Sequence, residues 1–454
     1  MVLPDGPRSA APFQMMQWLG RPLDFLERCH ARYGDTFTVN LGVVPPSVFL
    51  CHPEALAALF APDAASRFDS GRGNAVLSVT LGERSLIVLD GEHHQNLRRL
   101  VMPPFHGERL RAFGETIATI AQKSFARWQP GRAALVRPTL ARITMEVILQ
   151  VVFGLSEGER LQRLRSRLGW LLDVTSAPLW VGASILLPQD LGPWSPRGQL
   201  KAELAEIDRL IYAEIGERRR AGRLEGNDML TMMMLARDES GEPLSDVELR
   251  DQLMTLLVAG HETTATTLAW ALALVHKHPP VRERLLAELA ATDGDPQQRM
   301  NLPYLNAVCQ ETMRLFPVAM LAFPRIPKEP ITLQGRTYPA GTVLMPCIYL
   351  AHRRPEVFPD PTRFQPERFL GRQYSPYEFL PFGGGHRRCI GLAFSLYEMK
   401  IILAELLTTL ELALPEREDV RPVRRGVTLS PPGSLRLAVL SRRSAAPQPA
   451  LSRR

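Results

Sequence analysis

Cys389 lies in the run Phe382-Gly383-Gly384-Gly385-His386-Arg387-Arg388-Cys389-Ile390-Gly391, just ahead of an apolar-periodic segment from Leu392 to Leu412. A sulfur at a helix start feels the partial positive charge of unpaired N–H groups, which favours thiolate over thiol. Glycines let the backbone pass close to a large flat ligand and turn its amides toward the sulfur. Arg387 is placed to meet an anion held beside that sulfur. A lone cysteine is ordinarily a small, inert hydrophobe, and Cys389 by itself reads that way. Its surroundings, and a few distant stretches, reverse that reading.

Ala259-Gly260-His261-Glu262-Thr263-Thr264 sets a carboxylate beside a hydroxyl in the middle of a long apolar segment. Glycine and threonines weaken a helix locally, and a kinked core helix is the plain explanation. His94 and Arg98 stand four residues apart on one helix face, ordinarily a solvated polar face. Glu311 and Arg314 share a face at i and i+3, the usual spacing of a surface ion pair. Pro366-Glu367-Arg368-Phe369 follows downstream, and Arg325 comes directly after Pro324.

The pattern Phe-x-x-Gly-x-Arg-x-Cys-x-Gly resembles the haem-binding loop of the cytochrome P-450 family of haem-thiolate monooxygenases. Phe382, Gly385, Arg387, Cys389 and Gly391 fill its fixed positions, and the likeness extends from about Pro4 to about Leu440. The resemblance implies one b-type haem, with Cys389 as the metal ligand and its carboxylates bound by His94, Arg98, Arg325 and Arg387. It also implies that Ala259 and Gly260 make room for dioxygen in a widened helical turn. Thr263 then hydrogen-bonds the bound oxygen, and Glu262 relays protons from solvent. Arg368 joins Glu311 and Arg314 in a buried network fixing the cysteine loop.

The family reading implies insertion of one oxygen atom into an apolar substrate such as a fatty acid, terpene or polyketide. Electrons would come from a separate ferredoxin and its NAD(P)H-dependent reductase, since no flavin or ferredoxin segment is expected in the chain. Arg388 and Arg99 are expected near the surface, steering an acidic ferredoxin. A peroxide-using peroxygenase would not need Glu262 and Thr263. A haem-thiolate gas sensor would carry an output domain, and none is visible. Turnover that needs dioxygen plus reductant separates the three.

The elements that must position these residues are mostly helical. The expected fold is mainly α with a minor β region, a single large domain over 1–440, and a disordered tail over 441–454. Composition fits: 45% of the 454 residues are hydrophobic, and no Gly/Ser linker or repeat divides the chain. Ser245-Asp246-Val247-Glu248 is a capping box opening a helix to about His276. A helix is expected over Trp18 to Tyr33, a strand pair over Thr36 to Leu41 and Ser47 to Cys51, and a pocket-roofing loop over Arg67 to Leu89. Asp90-Gly91-Glu92 begins the His94 helix. A greasy lid is expected over Thr175 to Pro196, and a hairpin over Thr428 to Leu437 with its tip at Pro431-Pro432-Gly433. The net charge of +7 suits an acidic partner, a membrane surface or nucleic acid, but aromatics are only 7% and no nucleic-acid motif appears, which argues against nucleic acid. Five scattered cysteines form no CxxC pair, which points to a reducing cytoplasm. Neither a signal peptide nor a membrane anchor is expected at the start.

Overall fold

Ser245 caps the central helix of the fold. The Glu248 N–H donates to its hydroxyl at 3.3 Å, and the Ser245 N–H donates to the Glu248 carboxylate at 2.9 Å. That reciprocal pair is the capping box expected from the sequence. The computed structural model describes residues 3–42, 44–154, 157–177, 190–222, 226–292, 296–418 and 420–443. The helices framing the site are α1 (Gly91–Val101), α2 (Val136–Phe153), α3 (Glu159–Ser176), α4 (Pro196–Ala221), the capped helix α5 (Asp246–Lys277), α6 (Pro303–Leu315) and α7 (Leu392–Thr409). At 1.5 Å per residue α5 is ~48 Å long. From Leu249 to His276 it is buried nearly all round, as a helix at the centre of a helical layer must be.

A smaller β region packs on one side. β1 (Thr36–Val39) runs antiparallel to β2 (Ser47–Leu50), with Phe37 opposite Phe49. β3 (Val343–Pro346) adds in parallel on the other edge of β2. The buried residues fall into a large helical cluster around α5 and a second cluster joining β1–β3 to the first helices of the chain. Mainly α with a minor β region is thus what the chain forms.

Glu311 of α6 joins these parts. Arg314 holds it bidentately, Nε to Oε2 at 2.6 Å and Nη2 to Oε1 at 2.8 Å, and Arg368 Nε donates to Oε1 at 3.1 Å. The Glu311 and Arg314 side chains are fully buried, so the i and i+3 spacing is not a surface pair. Arg314 also donates to the carbonyls of His352 and Pro361. The network expected from Pro366 to Phe369 is present.

Several local expectations differ. The first helical stretch is two helices, Ala11–Gly20 and Pro22–Tyr33, because Pro22 starts a new one. The roof loop contains a 3-10 turn, Arg72–Leu77, and a short helix, Ser78–Leu81. The expected C-terminal hairpin is displaced. β4 (Val423–Arg425) pairs with β5 (Thr428–Ser430), so the tip is Gly426-Val427. Pro431-Pro432-Gly433 follows β5 and leads to the strand Arg436–Arg442 in another sheet. That strand passes the boundary expected at 440; residues 444–454 lie outside the described residues, as do 178–189 of the expected lid. Among the described residues no helix is long and apolar enough to cross a membrane.

Candidate functional site

The cysteine loop is held from within and from one side. The Cys389 N–H donates to the Phe382 carbonyl at 3.0 Å, closing the loop. Gly384 and Gly385 lie against Phe60: a Cβ on Gly384 would sit 2.4 Å from its ring, and one on Gly385 (φ +64) would lie 3.1 Å from its backbone. These glycines therefore serve packing of the loop on Phe60, a contact with no signal in the sequence. A Cβ on Gly391 would stand 3.8 Å from the Cys389 sulfur, so glycine there leaves the sulfur uncrowded. Cys389 is solvent-accessible, whereas Cys29, Cys51, Cys309 and Cys347 are buried. Burial by surrounding protein pushes its thiol up, against the Gly391 N–H, Arg98 and Arg388, which pull it down. The Gly391 N–H at the start of α7 supplies the pull toward thiolate expected from the loop, and burial opposes it. A bound metal ion would tip the balance, since a coordinating thiol is deprotonated outright.

Positive side chains converge on this loop. Arg98 of α1 donates to the Arg388 carbonyl at 2.6 Å. Arg325, 1% exposed, donates to Ser70 Oγ and to the carbonyls of Phe323, Pro324 and Gly384, and lies over the Phe60 ring. None of these partners is a carboxylate, and its Nε has no partner at all. Burial, then Arg387, push Arg325 down, with Asp90 opposing; a guanidinium stays charged even so. Arg387 donates to the carbonyls of Leu86 and Leu89 and to Asp90, and its buried Nε is also without a partner. His94 and His386 stack edge to face at 5.8 Å. Burial pushes them down to about 3 and about 4, with Arg387 and Arg325 respectively as the next causes. Both rings are neutral, so the positive charge resides on the three arginines.

On α5, Ala259 and Thr263 are exposed, although His261, Glu262 and Thr264 are buried. Residues at i and i+4 share a face, so the two leave one face of α5 uncovered. Thr263 Oγ1 donates to the Ala259 carbonyl at 2.7 Å. The next threonine, Thr264, meets Ser395 of α7 at 3.2 Å and ties α5 to the helix that follows the cysteine loop. The expected widened turn is not formed: Asp246–Lys277 is α-helical throughout. A Cβ on Gly260 would lie 3.0 Å from the Ile148 side chain, so this glycine permits close approach of α2. Glu262 is buried and ion-paired to Arg137 of α2, with Arg425 of β4 at 3.2 Å. Arg425 also bonds Asp173 of α3 at 2.6 Å. Neither Arg137 nor Arg425 carried any signal in the sequence.

The family model for cytochrome P-450 matches residues 4–438. The chain belongs to the cytochrome P-450 family. Cytochrome P-450 135B1 of Mycobacterium tuberculosis is 38% identical over 447 residues, which cover 98% of this chain and 92% of that one. Cytochrome P-450 135A1 of the same organism is 34% identical over 448 residues, covering 97% and 96%. Among solved structures, the retinoic acid bound cyanobacterial CYP120A1 superposes with a TM-score of 0.81 at 25% identity, covering 96% of this chain and 99% of that one. This cytochrome P-450 is accordingly a haem-thiolate monooxygenase, an oxidoreductase that binds haem b through a cysteine thiolate.

The residues of the site fit that cofactor. Three arginines gather by an accessible thiol, only Arg387 among them is paired with a carboxylate, and the buried Nε atoms of Arg325 and Arg387 are unsatisfied. Two carboxylates of a haem are the groups such a set lacks. The structure brings His94, Arg98, Arg325, Arg387, Phe382, Gly385 and Gly391 to the Cys389 loop, and places Ala259, Gly260, Glu262 and Thr263 together on α5. Two participants were missed. Asp90 was read only as the start of a helix, and His386 only as part of the loop.

Proposed function

We propose that this cytochrome P-450 hydroxylates an apolar organic compound of the fatty-acid, terpene or polyketide kind in the cytoplasm, with electrons from a separate ferredoxin and its NAD(P)H-dependent reductase. Bound haem supplies the activation of dioxygen and the transfer of one oxygen atom to a substrate C–H bond. Cys389 would hold the haem iron through its thiolate, with the Phe382 carbonyl, Gly385 and Gly391 keeping its loop in position. His94, Arg98, Arg325 and Arg387 would hold the haem carboxylates. Ala259 keeps the α5 face low beside the reacting site, and Gly260 sets the height of α5 against α2. Thr263 holds a proton at Oγ1 for donation at the uncovered face of α5, and Glu262 relays to it a proton taken up from solvent. Exposed Val76 and Val79 on the roof loop and Val427 at the hairpin tip support an apolar substrate.

The observation that carries this reading is the set of three arginines, short of carboxylates, around one accessible thiol. Reduced protein under carbon monoxide is expected to show the red-shifted Soret band of thiolate ligation. Cys389→His abolishes that band and retains haem. If Cys389→Ala kept the band, the ligand assignment would be wrong. A panel of fatty acids, terpenes and polyketides tests the substrate through the spin-state change on binding; a response confined to charged hydrophilic compounds would rule out the class.

A further inference from the structure

Asp90 stands at the entry to α1, where an aspartate normally caps the helix, yet it makes no capping hydrogen bond. Its carboxylate turns to the roof loop instead. The N–H groups of Ser70 and Gly71 donate to Oδ1 at 2.8 Å each, and the Arg72 N–H donates to Oδ2 at 2.9 Å. Arg387 Nη2 adds a charged hydrogen bond to Oδ1 at 2.5 Å. Burial raises this carboxyl, but the amides of Gly71, Ser70 and Arg72, together with Arg387, outweigh it and hold the group ionised. The surrounding backbone is built around the contact. A Cβ on Gly71 would lie 2.0 Å from the Val88 carbonyl oxygen, so the loop rests directly on the residues leading to Asp90.

Three guanidinium groups at least partly buried, of Arg98, Arg325 and Arg387, gather at the cysteine loop, whereas Arg388 is exposed and screened by solvent. Among the described residues Asp90 is the one carboxylate ion-paired with any of them. Three positive charges and one negative leave an excess of two, the number that the two carboxylates of one haem neutralise. We propose that Asp90 is the internal counter-ion of the haem site: acting through Arg387, it fixes the positive excess at two and thereby sets the haem's midpoint potential. The proposal rests on the haem assignment to Cys389. Asp90 is a positioning residue, since it reaches the cofactor only through Arg387. Uncompensated positive charge near the iron favours the reduced state, which carries one more electron. Removing the Asp90 charge therefore raises the potential.

The holoenzyme and its variants test this by spectroelectrochemical titration. Asp90→Asn is expected to keep the thiolate-type carbon monoxide band and to raise the ferric/ferrous midpoint by about tenfold in the one-electron equilibrium constant, ~59 mV. Asp90→Glu is expected to recover at least half of that shift. The double variant Asp90→Asn/Arg387→Gln again leaves two positive charges, so its midpoint returns toward that of the unaltered protein. Should Asp90→Asn fail to hold haem, Arg387→Gln alone reads the same balance, with an excess of one and a lowered midpoint. The proposal is overturned if the midpoint does not move while the band is intact. It is equally overturned if Asp90→Glu or the double variant shifts as far as Asp90→Asn, which would make loop geometry the cause. Absence of the band from the unaltered protein would overturn the haem reading itself, a separate result.

Discussion

Thr263 already engages its hydroxyl with the Ala259 carbonyl. Such a bond back along a helix bends it slightly and does not hold it together. Thr263→Ala is therefore expected to change stability by less than about 0.5 kcal/mol and to bind haem and substrate normally. Product formed per NAD(P)H consumed should fall several-fold, with hydrogen peroxide making up the difference; an unchanged ratio would sink the role given to this hydroxyl. Glu262 is the opposite case, because its carboxylate is buried and its main partner, Arg137, is buried too. Removing one member of a buried pair costs about 3–5 kcal/mol. Arg137→Met should lie near the lower end, since Arg425 remains beside the carboxylate. Urea unfolding of Arg137→Met and of Arg137→Met/Glu262→Gln measures this. The double variant should recover at least half of the loss, and a purely additive result would show that the two side chains are not coupled.

The Glu311 network binds α6 to the segment bearing Arg368, and its members have no water to turn to. Glu311→Gln leaves Arg314 buried beside a neutral amide, so the expected cost is again about 3–5 kcal/mol, with less haem retained per chain. A thermal midpoint within a degree of the unaltered protein would contradict that. This network was legible in the sequence because a family likeness joined two stretches that spacing alone would leave as surface pairs. The start of α5 was legible for a local reason, as Ser245 and Glu248 satisfy each other's backbone donors wherever the helix packs. The C-terminal hairpin was not. Two prolines and a glycine at 431–433 gave a stronger turn signal than Gly426-Val427, but β5 is fixed by a distant partner, the Leu429 N–H donating to the Val318 carbonyl. Asp90 misled for a similar reason. Its position reads as a helix cap, and the three amides that claim its carboxylate come from a loop about twenty residues earlier.

Two bulk properties follow from the whole molecule. Arg388 is exposed beside Cys389, but Arg99 is ion-paired to Glu239 and bonded to Asn96, so it is less free for docking than expected from sequence. Arg388→Glu is expected to slow reduction by an acidic ferredoxin at low salt. The loss should be much smaller near 1 M, where the Debye length is about 3 Å. The effect of Arg99→Glu should be weaker, and equal sensitivity of both at every ionic strength would exclude steering by charge. Acid stability follows from the histidines. Burial pushes His276 down to about 4, against its hydrogen bond to the Leu272 carbonyl. An unfolded histidine titrates near 6.5, so below that pH the unfolded chain takes up a proton that the folded one refuses. Stability then falls as pH drops from about 6.5 to about 4, by ~1.4 kcal/mol per pH unit for such a group. His276→Gln should flatten the curve by one proton in that window, and an unaltered slope would show that this ring titrates normally. The same molecule draws its cofactor site from both halves of the chain. Arg98 donates to Arg388, 290 positions later, and Arg387 reaches back 301 positions to Leu86. During synthesis Asp90, His94 and Arg98 leave the ribosome long before Arg325, Arg387 and the thiol exist. A chain cut short before Arg325 would therefore carry Asp90, His94 and Arg98 but neither the later arginines nor the thiol, and only synthesis past Cys389 completes the set.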